Sequence, residues 1–146
     1  MLQLRIVAVG KIKQAGLRAE LDDYLGRIRR YAACEEIELK DGSDSELRAR
    51  FDKALLKRGK VIALEVDGRT MSSQGLADLV GRAELEATPL CWLIGGAYGL
   101  PAEVSRSAHL RMSLSAMTLP HRLARVVLAE QIYRAFTLLR NEPYSH

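Results

Sequence analysis

The sequence predicts an α/β fold, a mostly parallel sheet with helices on both faces, and three observations predict it. Residues 2–9, 61–66 and 90–94 are near-continuous apolar runs, the signature of strands covered on both sides. Segments of helical periodicity separate them, and strands alternating with helices at this spacing make parallel βαβ units. Each run also ends on glycine, at Gly10, at Asp67-Gly68 and at Gly95-Gly96, so each strand is followed by a turn or loop.

Taken in order, residues 2–9 alternate and then become continuously apolar, which suits a central strand. Leu17, Leu21, Tyr24, Leu25, Ile28 and Tyr31 recur at helical spacing, with Arg27, Arg29 and Arg30 near the C-terminal end. Residues 34–39 read as a strand nearer the sheet edge. Ser43 followed by Glu46 is a capping box, opening a helix whose buried side carries Leu47, Phe51, Ala54 and Leu55 and which Gly59 stops. After the strand at 61–66, Ser72 and Ser73 cap a helix bearing Leu76, Leu79, Val80 and Leu85. Pro89 breaks the chain before the strand at 90–94, a glycine loop leads to a short helix over 101–107, and residues 110–114 form one more strand. The last helix starts at Pro120, whose fixed φ suits a first turn, and runs to about Arg140. Its apolar side chains Leu123, Val126, Val127, Ala129, Ile132, Tyr133 and Phe136 cover more than the ~100° stripe one core-facing helix requires, which predicts a second packing surface, most simply a twofold interface.

At 146 residues the chain predicts a single domain, residues 1–146, with a real core. No apolar run reaches the ~18 residues of a membrane span, and residues 1–10 read as a strand and not as a signal peptide, so the expected location is cytoplasmic. Cys34 and Cys91 lack CxxC spacing and predict two buried thiols, with no disulfide and no metal site. The net charge is +4, unevenly spread: residues 11–30 are basic, 35–46 acidic, and beyond Pro101 the bases Arg106, Arg111, Arg122, Arg125, Arg134 and Arg140 outnumber Glu103, Glu130 and Glu142. An arginine-biased end favours a phosphate-bearing partner, although any one arginine reads first as part of a solvated helix face.

Ligands of such folds bind outside the C-terminal ends of the strands. The loops after Val66, after Ile94 and after Leu114 therefore predict one pocket. The glycine loop lacks GxGxxG order and the chain has no GK[ST], so neither a dinucleotide nor a P-loop fingerprint is present. The loop before Pro120 is uncharged and apolar, with His121, Arg122 and Arg125 following at once. Such a loop holds a flat uncharged ring by main-chain hydrogen bonds while the cations face an anion.

Leu93-Ile94-Gly95-Gly96-Ala97-Tyr98-Gly99-Leu100, Leu114-Ser115-Ala116-Met117-Thr118-Leu119-Pro120-His121, Arg125-Val126-Val127, Glu130-Gln131-Ile132-Tyr133-Arg134-Ala135 and Pro143-Tyr144, with Leu4-Arg5-Ile6-Val7-Ala8-Val9-Gly10-Lys11 at the start, resemble the RlmH family. These are small SPOUT-class methyltransferases acting on pseudouridine in large-subunit ribosomal RNA. The resemblance implies S-adenosylmethionine (S-adenosyl-L-methionine) as methyl donor, a homodimer, a C-terminal trefoil knot that makes the cofactor pocket, and the ribosome with its 23S rRNA as partner. Carried onto this chain, the family's cofactor positions fall on Leu64, Gly95, Leu114, Ser115, Ala116, Met117, Thr118 and Leu119. These are the three loop-bearing strand ends already found from the pattern.

Methyl transfer from a sulfonium to the imide N3 of pseudouridine needs an in-line approach in a desolvated slot, and removal of the N3 proton. It calls for neither a metal nor a covalent enzyme intermediate. His121, Glu130 and His146 are candidates to take the proton, and none is singled out, since Glu130 reads better as an ion-pair partner of Arg134 or of a partner subunit and His121 reads also as a ligand of backbone or phosphate. Arg125, Tyr144 and His146 are expected at the RNA, the tail completing a site across the dimer. Two features depart from the family pattern: Tyr98 stands where relatives carry a small-polar or acidic residue, and the chain ends Pro143-Tyr144-Ser145-His146 with its histidine shifted by one and no basic terminus. The alternative of a different class is a non-catalytic dimeric module that binds RNA or senses S-adenosylmethionine. Loss of the apolar loop or of the glycine pair would mark it, and both are retained. A small hydrolase needs GxSxG, which is absent.

Overall fold

The computed structural model describes residues 1–144. The elements follow in the order β1 (Gln3–Val9), α1 (Ala15–Ile28), β2 (Ala33–Leu39), α2 (Asp44–Ala54), β3 (Lys60–Thr70), α3 (Ser73–Glu86), β4 (Leu90–Ile94), α4 (Ala102–Ser107), β5 (Leu110–Ser113) and α5 (His121–Leu139). The five strands pair in the order β2-β1-β4-β3-β5, and every pairing is parallel. The expected mostly parallel sheet is thus wholly parallel, with β2 and β5 at its edges.

Period-two alternation in the central strands sorts their side chains between two cores. Leu4, Ile6 and Ala8 of β1, with Leu90, Trp92 and Ile94 of β4, face the larger core, built against α1, α3 and α5. Val7, Val9, Cys91 and Leu93 point the other way, onto Leu47, Phe51 and Ala54 of α2. Cys34 and Cys91 are both buried and unbridged, and burial pushes each thiol up to about 11. They are apolar filling, as expected.

The local signals hold where they were read. Ser43 accepts from the Glu46 N–H at 3.2 Å while Glu46 Oε1 accepts from the Ser43 N–H at 2.9 Å, closing the capping box at the start of α2. Ser72 caps α3 in the same way through the Gly75 N–H. Pro120 falls one position outside α5, as its N-cap residue with φ −55° and ψ 140°. Among the described residues no helix is long and apolar enough to cross a membrane.

Two expectations change. The strand at 61–66 does not stop at Asp67-Gly68: β3 continues to Thr70, and its pairing with β5 slips so that Leu64 and Arg69 both stand opposite Met112. A Cβ on Gly68 would lie 2.8 Å from main-chain atoms of Arg111 and Met112, so the glycine permits a close approach that keeps the strand in the sheet and sets residues 65–68 out of the ladder. The broad apolar face of α5 also has a different reason. The helix is wedged between α1 and α3 on the sheet, and Val126, Ala129, Ile132 and Phe136 are buried within this one chain. Three neighbours need a wider stripe than one and account for these four, while Leu123 stays 38% exposed and Val127 and Tyr133 half-buried, which leaves a narrower apolar face than the sequence predicts for a second subunit.

Candidate functional site

A cleft opens where the C-terminal ends of β3, β4 and β5 meet, with about 610 Å³ of space partly open to solvent, within the range of small-molecule sites. Leu64, Gly95, Leu114, Ser115, Met117 and Leu119 line it. Ala116 and Thr118 belong to the same loop but lie on its exposed side. The structure adds Val66, Ile94, Leu100 and Ser113 to the apolar walls, and Glu65, His121 and Ala124. Glu65 was missed: a carboxylate inside an apolar strand run was its only signal.

The loop between β5 and α5 holds its shape through serine hydroxyls. Ser113 Oγ donates to the Ser115 carbonyl at 2.8 Å and accepts from the Ser115 N–H at 3.3 Å, and Ser115 Oγ accepts from the Met117 N–H at 2.9 Å. Among the described residues, the main-chain N–H groups of Ala116, Thr118 and Leu119 take no intramolecular partner. An apolar slot with the Leu119 N–H at its edge, and two further unpartnered main-chain donors on the same loop, fits a flat heteroaromatic ring, which offers ring-nitrogen acceptors at its rim. Opposite, the glycine loop approaches itself closely: a Cβ built on Gly95 would stand 2.3 Å from the Gly99 carbonyl carbon and 2.5 Å from the Leu100 nitrogen. Gly95 is needed by its own loop before any ligand arrives.

Around this slot the charged groups divide into paired and free. Glu65 accepts from Ser105 Oγ at 3.0 Å and from Arg111 at 3.2 Å, and Arg111 reaches Asp67 at 2.9 Å. His121 lines the cleft on the first turn of α5, and burial, with the nearby Arg122 and Arg125 cations, lowers its pKa below the usual histidine value against an opposing pull from Asp41. Arg106, Arg111, Arg125, Arg134 and Arg140 each face a carboxylate. Arg122 alone of the C-terminal arginines has no ion-pair partner among the described residues.

Arg125, expected at the RNA, is 1 % exposed. Its guanidinium bonds Glu38 at 2.6 Å, Glu36 at 3.0 Å and the Gly10 carbonyl at 3.0 Å, tying the first turns of α5 to the ends of β1 and β2. Arg18 joins the same two carboxylates from α1. A cation so enclosed holds the helix in place and cannot meet a phosphate. Replacing Arg125 by methionine is expected to lower stability by about 3–5 kcal/mol, the range for breaking a buried pair, and a denaturant titration measures it.

The remaining candidates are not at the cleft of their own chain. Glu130 accepts from Arg134 at 2.8 Å and from the Tyr144 hydroxyl at 2.8 Å, and the Tyr144 ring meets Tyr133 edge-on at 4.6 Å with Arg134 over its face. Burial and the bond to Glu130 push the Tyr144 hydroxyl up, so it stays a phenol donor. At 1.5 Å per residue, Glu130 lies roughly 13 Å along α5 from His121. His146 falls outside the described residues.

Comparison with known proteins agrees with this geometry. A family model described as a predicted SPOUT methyltransferase matches residues 2–146. The protein of Sorangium cellulosum named ribosomal RNA large subunit methyltransferase H is 49% identical over 146 residues, covering 99% of this chain and 100% of that one. The protein of that name in Geobacter sulfurreducens is 42% identical over 153 residues, covering 99% of this chain and all of its own. Among solved structures, a putative methylase family protein from Neisseria gonorrhoeae aligns at a TM-score of 0.63 with 13% identity, covering 99% of this chain and 86% of that one, a likeness of fold.

Proposed function

The chain belongs to the SPOUT methyltransferase family, among the large-subunit ribosomal RNA methyltransferases named H, and from that membership we propose that it methylates N3 of a pseudouridine in 23S rRNA of the assembled ribosome, working as a cytoplasmic homodimer. S-adenosylmethionine is its methyl donor, and rRNA methyl transfer is its activity. The observation that carries the reading is the cleft: six of the eight expected cofactor positions line it, and it is apolar with the unpartnered Leu119 N–H at its edge. With it goes the C-terminal trefoil knot expected of the family. Ribosomes lacking the modification, incubated with the protein and a labelled methyl donor, test the proposal directly: label recovered on pseudouridine N3 supports it, and label on another nucleotide or none defeats it.

Bound in the cleft, the donor supplies an electrophilic methyl on a sulfonium. The chain's own residues do the rest. Leu64, Ile94, Leu100, Leu114 and Leu119 exclude water from the reacting atoms, and the fixed loops set the line of approach. Methyl transfer to N3 would require the N3 proton to leave. We assign it to the unprotonated imidazole nitrogen of His121, the histidine that lines the cleft, which passes it on to water. Arg122 beside it offers an unpaired guanidinium to a phosphate of the target strand.

Tyr144 and Glu130 lie too far from their own cleft to act there, so any part they take in the site is played at a second copy, which is what supports the dimer in this reading. Removing residues 144–146 is expected to leave donor affinity intact by calorimetry while most transfer to ribosomes is lost. Sedimentation of the intact protein as a monomer at micromolar concentration, or full activity in the truncated one, would defeat the cross-subunit part.

A further inference from the structure

Few large apolar side chains of the described residues are left in water; two of them line the cleft, and a third stands on the turn beside it, over a neighbouring groove. Val66 is 57%, Met117 78% and Tyr98 101% exposed. Val66 and Met117 line the cleft itself, and Tyr98 stands between Gly96 and Gly99, which also line it. Tyr98 is held there by a short, defined turn: the Gly99 N–H donates to the Gly96 carbonyl at 3.0 Å and the two residues form an antiparallel bridge, leaving Ala97 and Tyr98 at the tip. Among the described residues its ring has no aromatic partner and its hydroxyl no hydrogen bond. An aromatic ring carried on a defined turn, beside a site and packed on nothing, is a surface for another molecule.

The neighbouring groove narrows what that molecule shows to the ring. Asp41 and Asp44 line it with Tyr98 and Gly42; Asp44 stands 3.9 Å from Arg48, whereas Asp41 has no ion-pair partner among the described residues, so a phosphate approaching this side meets the like charge of Asp41. The uncharged face of a base does not, and a base edge brings N–H donors that carboxylates accept. Resting on the rRNA methyltransferase reading, we propose that Tyr98 is an RNA-binding residue, whose ring stacks on a base flanking the target nucleotide and so holds the looped-out strand over the cleft. It touches neither the donor nor the reacting nitrogen. Stacking on an aromatic side chain is the ordinary means of holding an unpaired RNA base.

The full chain with Tyr98→Ala and Tyr98→Phe tests this in three measurements. Calorimetry is expected to give unchanged S-adenosylmethionine affinity for both variants, and sedimentation an unchanged oligomeric state. Methyl transfer to unmodified ribosomes is expected to lose on the order of 5- to 150-fold in kcat/KM with alanine, the range for one lost base–aromatic stack, carried by KM with kcat retained, and to recover with phenylalanine. Three results would overturn the proposal: an alanine variant with wild-type kcat/KM on ribosomes that the wild type methylates; an alanine variant whose sedimentation changes, which makes the ring a subunit contact; or a loss carried by kcat alone. A wild-type protein that transfers no methyl to ribosomes would sink the parent reading, and this one with it, before any variant is compared.

Discussion

Binding of S-adenosylmethionine is expected to disappear in Gly95→Val while the protein remains folded. The reason lies in main-chain distances. A Cβ at Gly95 stands 2.3 Å from the Gly99 carbonyl carbon and 2.5 Å from the Leu100 nitrogen, so nothing as soft as a side-chain tip can give way. The turn from Gly96 to Gly99 must move, and Gly96, Gly99 and Leu100 are walls of the cleft. Sheet strands β1 and β4 behind the loop are buried and unaffected, so the far-UV spectrum and a cooperative melt should survive. Calorimetry is expected to show affinity weakened by at least about 100-fold, some 2.7 kcal/mol. Gly95→Ala should lose most of the same amount, because the collision is with Cβ itself. Unchanged affinity in either variant would mean that the donor binds elsewhere.

The glycine loop after β4 was legible as one wall of a pocket, and the uncharged loop before Pro120 as a slot for an uncharged ring. Three strand ends carrying loops were enough to bring Leu64, Gly95 and residues 114–119 together, since parallel strands deliver their C-terminal loops to one edge. The ordered family motifs then named the ligand. What Gly95 makes room for was not legible, because its nearest neighbours at Gly99 and Leu100 depend on how the turn closes.

The misread residues share one cause: their partners are remote in the chain. Arg125 looked like a free cation because nothing acidic lies at helical spacing beside it, yet its carboxylates are 89 and 87 residues upstream, on β2. Similarly, the width of the α5 apolar face depends on α1 and α3 together, which no window along α5 can reveal. Asp67-Gly68 carried a sound turn signal, and tertiary pairing with β5 overrode it. Local capping fared better. Ser43 with Glu46 and Ser72 with Gly75 answer to atoms three residues away, so the sequence contains both halves of the interaction.

Replacing His121 by glutamine should cost the transfer step on the order of 10²–10⁴-fold in kcat, the usual worth of a positioned general base. The pH dependence makes this specific. Burial and the charges of Arg122 and Arg125 disfavour the imidazolium, so the folded-state pKa of His121 lies below the usual value near 6.5. The neutral ring is the competent form, so transfer by the wild type should be level through neutral pH and fall as pH drops through that lowered pKa. In His121→Gln the acidic limb should vanish, and the residual rate should instead climb with pH as N3 itself gives up its proton to solvent. Arg122→Gln provides the second arm, because removing one of the two repelling cations must move the wild-type limb to higher pH, whatever it does to RNA affinity. Donor affinity should change little in either variant, which separates loss of the base from damage to the cleft. A glutamine variant that keeps both its rate and the wild-type limb would take His121 out of the chemistry. Proton removal would then have to be sought at a second copy's tail, where Glu130 and Tyr144 already share a hydrogen bond of 2.8 Å.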